Sequence, residues 1–334
     1  MLKVIEDEAT IRRCQQQFSR SFRAVADARI PVRVGHAGAS FRASVHWSDE
    51  LDLWLYSKRI PEKNHWNVLG IGKPAPEGRV AITCEINFPI RGIDRKTGGA
   101  LARDPEGSIF VVHRGRLGGS RKGIGKSLFG NRYRGVWALM EDGDEQAAVA
   151  VVGALHSPRF VRQLGQFVRK VQRMKDLAAS RDPQMAIAFP EVEFREELSG
   201  EAALPVPDDL SRLCDRSLVA GDLAAALQSM GIQAGNDESR DCFAVDRQGR
   251  ISILFKVLTS LRDGDVLEGA AKLLVDRVSF PEKPRLVLAV PADLPADLEE
   301  SLKALGLEIL PYAWDGEQAV FPDLKAIVRG IMTS

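Results

Sequence analysis

Seven cations and no anion fall in one stretch of twenty-two residues. The run His113–Arg134, HRGRLGGSRKGIGKSLFGNRYR, carries Arg114, Arg116, Arg121, Lys122, Lys126, Arg132 and Arg134. No Asp or Glu occurs between Gly107 and Met140. Six glycines in the run let backbone approach a partner closely and leave N–H groups to face an anion. Basic side chains on such a loop, with Phe129 and Tyr133 among them, suit a nucleic-acid backbone with bases free to stack. A solvated loop that happens to be basic is the plainer alternative, but a long loop in a compact domain is usually functional or disordered.

Other candidate chemistry is weaker. Gly123-Ile-Gly-Lys-Ser127 approaches a P-loop, yet the pattern needs Gly at position 120, where the chain has Ser120. Gly130 and Gly135 argue against the long helix that should follow. Trp47, Trp54, Tyr56 and Trp66 fall within twenty residues, and Trp54 and Tyr56 share one strand face. They form a possible base pocket, with a packed β core as the commoner outcome. The five histidines are scattered, and none sits beside a Ser or Cys in a nucleophile motif. Cys14, Cys84, Cys214 and Cys242 are far apart, form no CxxC pair and read as reduced thiols rather than a zinc site.

These residues must be positioned by ordinary globular elements. Hydrophobic residues make up 45% of the 334 and charged residues 27%, with a net charge of +1. A basic surface is therefore local, not global. No apolar leader and no 18-residue apolar run is present, so the expectation is a cytoplasmic protein without membrane spans. Residues 5–28 have helical apolar spacing. Strand-like runs then begin at Val32, Ser40, Leu51, Val80 and Ser108, with further runs at Val136–Met140 and Ala147–Leu155, as in a β-rich domain with a curled sheet or partial barrel. Ser157-Pro158 opens a helix. Its Arg159, Arg162, Arg169, Lys170 and Arg173 lie mostly off the apolar stripe, as a solvated or phosphate-facing side. Residues 180–207, with four prolines, read as a linker. The expected domains are 1–179, nucleic-acid-binding, and 208–334.

The second domain is organised around Asp241–Ser260, DCFAVDRQGRISILFKVLTS, which reads as strand, turn and strand. An acidic helix (265–280), an apolar strand (285–291), a helix and a short strand (307–311) follow, implying a mixed sheet covered by helices. This order resembles the C-terminal half of the PD-(D/E)XK, or restriction-endonuclease-like, nuclease family. The resemblance implies an Asp on the first strand and Glu-x-Lys on the second, the carboxylates holding a divalent metal and the lysine positioning water. Asp241 matches. Lys256 stands at the Glu position and Leu258 at the Lys position, while Lys272 stands where members often carry Gln.

The fold class expected is thus α+β and α/β, a β-rich domain followed by a restriction-endonuclease-like mixed sheet flanked by helices. Two functional readings follow from the altered motif. In the first, Lys256 pairs with Asp241 in place of a metal, and the protein binds DNA in a bacterial defence or DNA-processing system without cutting it. In the second, Asp241, Lys256 and Glu268, or Glu238, form a migrated Mg²⁺- or Mn²⁺-dependent centre with Asp241 as metal ligand. Asp246, just before the turn, is either a further carboxylate for such a centre or a turn residue. DNA is the expected partner, with a second protein or a homodimer as the alternative.

Overall fold

The computed structural model describes residues 1–36, 39–117, 125–179, 192–194, 210–237 and 239–332. The chain divides into two compact units, Met1–Pro183 with Glu201–Cys214, and Gln184–Gly200 with Asp215–Ser334. The expected linker is shared between them. The domain expected from residue 208 onward starts later, at Asp215, because Leu210 and Cys214 pack into the first unit's core.

In the first unit, β1 (Leu2–Val4) precedes α1 (Glu8–Ala24). The Asp7 carboxylate caps α1 by accepting the Thr10 N–H at 2.7 Å. Ile11, Cys14, Phe18 and Phe22 form its buried stripe. Next come β2 (Ala28–His36), β3 (Ala39–Ser48), β4 (Leu53–Ile60), β5 (Asn64–Ile71), β6 (Cys84–Glu85) and β7 (Phe88–Pro89). They make an antiparallel sheet in the order β2-β3-β4-β5-β6, with β7 also on β5. Strand alternation gives this sheet two apolar faces. Leu53, Leu55 and Leu69 join α1 in one core, and Trp54 and Val68 belong to another.

The remaining strands of this unit are β8 (Gly99–Arg103), β9 (Ile109–His113), β10 (Trp137–Asp142) and β11 (Glu145–Ala154). With β1 they close a five-stranded barrel, β1-β10-β11-β9-β8. The curled sheet or partial barrel expected from the sequence is therefore two structures, one closed. Closure depends on β1, which pairs parallel with β10 and antiparallel with β8. The connection from β9 to β10 carries α2 (Lys126–Arg132). After the barrel, α3 (Phe160–Ala179) sends Phe160, Leu164, Phe167, Val168 and Val171 into the core that holds Phe18 and Phe22.

In the second unit, α4 (Leu210–Ser229), which crosses the division between units, precedes β12 (Ala234–Gly235), β13 (Cys242–Val245) and β14 (Ile251–Val257). Then follow α5 (Asp263–Val278), β15 (Arg285–Pro291), α6 (Ala296–Ala304), β16 (Leu307–Asp315), β17 (Gln318–Val320) and α7 (Leu324–Met332). The six strands lie in the order β12 to β17. β14, β15 and β16 run parallel, and the flanking pairs are antiparallel. The mixed sheet expected from the strand–helix alternation is present. One face packs on α4 and α7 through Ile253, Phe255 and Val257. The other packs on α5 and α6 through Leu254, Leu258 and Leu288. Burial on both faces is why β14 reads as a continuous apolar run. Lys256 is the one charged residue in that strand.

Candidate functional site

Asp241 sits one residue before β13. Because Cys242 pairs with Phe255, the register carries Asp241 to a position opposite Lys256 on β14. The Lys256 ammonium lies 3.5 Å from Asp241 Oδ2. A third group completes the cluster. Arg216, on α4, donates from Nη2 to Asp241 Oδ1 at 2.9 Å and to Oδ2 at 3.2 Å. The Val257 backbone N–H donates to Oδ2 at 3.0 Å. The three side chains are close to buried, with exposures of 16% for Arg216, 11% for Asp241 and 10% for Lys256.

Burial by itself would raise the Asp241 carboxyl's pKa. The Arg216 and Lys256 charges and the Val257 amide outweigh it, and the carboxyl lies below its ordinary range. Asp241 is a fixed anion held between two fixed cations. Its neighbour Cys242 is buried, and burial, reinforced by the Asp241 charge, pushes its thiol up and away from reactivity.

A divalent metal does not fit this arrangement. Both carboxylate oxygens already accept from the Arg216 guanidinium, and the Lys256 ammonium stands 3.5 Å from one of them. Asp241 and Lys256 of the expected centre come together, while Glu268 is exposed on α5. Asp246 accepts the N–H groups of Gln248 and Arg250 and pairs with the Arg250 guanidinium, which makes it the turn residue of the β13–β14 hairpin. Gly249 takes the left-handed conformation of that turn, φ 76°. Glu238 lies outside the described residues. Among the described residues, no group of three or more His, Cys, Asp or Glu side chains could hold a metal ion. Leu258 is core, packed with Val266 and Ala270 of α5.

The basic stretch is divided by the fold. Arg114 is a correction to the phosphate-binding set: it is 8% exposed and makes a bidentate pair with Asp142, Nε to Oδ2 at 2.8 Å and Nη2 to Oδ1 at 2.7 Å. Its Nη1 also donates to the Thr97 and Gly99 carbonyls. The acid that neutralises it comes from β10, beyond the acid-free run. Phe129 and Tyr133 are likewise inaccessible to bases. They are buried and stacked on each other at 4.8 Å, with Phe167 and Trp137 around them. Arg116 and Arg132 are exposed, and Arg134 is half-buried. Arg121 and Lys122 lie outside the described residues, as does the side chain of Lys126.

The aromatic group resolves as core rather than pocket. Trp47, Trp54 and Trp66 are each at most 2% exposed and pack with Val32, Val34, Val45 and Val68. Trp47 Nε1 donates to Asp49 at 2.9 Å and Trp66 Nε1 to Glu85 at 3.2 Å, so both polar edges are satisfied. Trp54 crosses its strand partner Gly70 so closely that a Cβ there would lie 2.4 Å from the indole. Tyr56 is half-buried against Trp66 and Phe41. Residues at alternate strand positions on a covered face fill it with their own bulk. The α3 cations are divided as well: Lys170 is 4% exposed and Arg169 donates to the Leu51 carbonyl, while Arg173 is exposed.

Arg216 is the site residue that sequence reasoning misses. It lies 25 positions before Asp241 on a helix of mixed composition, and no local pattern links the two. Among the described residues, no helix is long and apolar enough to cross a membrane. Comparison with family models, with curated proteins and with solved structures finds no match to this chain.

Proposed function

We propose that this protein binds DNA and carries a nuclease-like second unit that does not cleave. The carrying observation is the Arg216–Asp241–Lys256 cluster: the aspartate and the strand residue that the PD-(D/E)XK resemblance pairs do face each other, but cations surround the carboxylate. The order α4–β12–β13–β14–α5–β15, with β13 antiparallel and β15 parallel to β14, supports the same resemblance. By analogy with that family, the setting is recognition of DNA in a bacterial defence or DNA-processing system.

DNA contact is assigned to the basic stretch, through exposed Arg116 and Arg132 together with Arg121, Lys122 and Lys126. The test is fluorescence anisotropy with a labelled duplex across a salt series. Three or four phosphate contacts give a log–log slope of roughly −3, from about −0.9 per contact. Changing Arg121, Lys122 and Lys126 to Ala weakens binding to every sequence and flattens the slope by about 0.9 for each phosphate no longer neutralised. An unchanged affinity and slope would remove the stretch from the interface and DNA from the proposal.

A further inference from the structure

We infer that Arg216 is a resident counter-cation that keeps divalent metal out of the Asp241 centre, so that the altered β14 motif is only half of what separates this unit from a metal site. The inference deepens the nuclease-like reading of the second unit and rests on it for the comparison with a metal centre. The exclusion itself stands on charge and distance.

A hard divalent cation needs oxygen lone pairs at about 2.0–2.6 Å and usually more than one carboxylate. Asp241 offers two oxygens. Oδ1 accepts from Arg216, and Oδ2 accepts from Arg216 and Val257 N–H while facing Lys256. An ion bound to either oxygen would meet the guanidinium or the ammonium at ion-pair range, a like-charge contact in a nearly buried place. Replacing Lys256 with Glu would not cure this. Arg216 already spans both Asp241 oxygens, and a guanidinium suits two carboxylates as readily as one. The new Glu would pair with Arg216 before it paired with a metal. Two changes are therefore needed, one on β14 and one on α4.

The experiment is isothermal titration of the full chain with Mn²⁺ and with Mg²⁺, the fold of each variant checked by circular dichroism. The unaltered chain and Asp241→Asn should titrate alike, because position 241 holds no metal in either. Lys256→Glu alone should also match the unaltered chain. The Arg216→Ala/Lys256→Glu double variant should bind one Mn²⁺ at least tenfold tighter, and adding Asp241→Asn should abolish that gain. Three results would overturn the inference: Mn²⁺ binding by the unaltered chain that Asp241→Asn removes, Lys256→Glu binding metal as well as the double variant, or a folded double variant binding no tighter than the unaltered chain. Should the double variant fail to fold, Arg216→Gln/Lys256→Glu, which keeps a polar side chain on α4 without its charge, takes its place with the same expected gain and the same overturning result. DNA affinity enters none of these readouts, so a failure here is distinct from a failure of DNA binding.

Discussion

Replacing Asp241 by Asn removes one charge and changes almost nothing else in shape. Asn keeps one carbonyl oxygen, enough to accept from either Arg216 or the Val257 N–H, but not the anion that holds Arg216 and Lys256 in one nearly buried place. Removing one member of a buried ion pair costs about 3–5 kcal/mol, because the partner charge stays buried without compensation. In a unit of this size that lowers the unfolding midpoint by roughly 10–20 °C. The comparison is an exposed pair, Arg250 with Glu282, at 49% and 62% exposure. Glu282→Gln should leave the midpoint where it is, since water and salt screen that pair. The assay is urea and thermal unfolding of both variants, repeated from pH 7 to pH 3. The folded Asp241 carboxyl lies below its ordinary value, so between the folded and unfolded pKa values the unfolded chain binds the extra proton. Its contribution is complete above the unfolded value of about 4 and disappears as pH falls through the folded value. The gap between the unaltered chain and Asp241→Asn should therefore narrow toward acid. Equal stabilities at pH 7, or a gap independent of pH, would refute the view of Asp241 as a clamped anion.

Two further outcomes follow from the same packing. Arg114→Ala leaves buried Asp142 with only the more distant Arg95 guanidinium, 4.0 Å away, and should destabilise the first unit by about 3 kcal/mol, read as a drop in midpoint, whereas the slope of DNA affinity against salt in the folded variant should not change. Leu258→Lys places a cation in the core under α5 and should cost several kcal/mol in urea unfolding without creating any metal-dependent activity.

Much of the second unit was legible because β14 is buried on both faces and reads as one apolar run, and because a period of two puts Leu254, Lys256 and Leu258 on one side. The hairpin was legible from Gln248-Gly249 and the capping Asp246. β1 was not: three residues carry no usable periodicity, and its partners lie about 100 and 138 positions away. The charges of the basic stretch were counted correctly but not placed, since the acid that captures Arg114 lies on β10, outside the run. The tryptophans looked alike whether lining a pocket or filling a sheet face, and what distinguishes these outcomes is the covering layer, which no local spacing encodes. Arg216 was invisible for the same reason, because a helix-to-strand ion pair has no sequence signature.

The most direct measurement incubates the unaltered chain with end-labelled duplex DNA, with and without Mg²⁺ or Mn²⁺, and resolves bound and cleaved species from the same reaction. Salt-sensitive binding with the duplex left intact under every metal condition is the expected result. Metal-dependent cleavage that Asp241→Ala abolishes would contradict it, and would make the Asp241 centre a working site rather than one closed by Arg216 and Lys256.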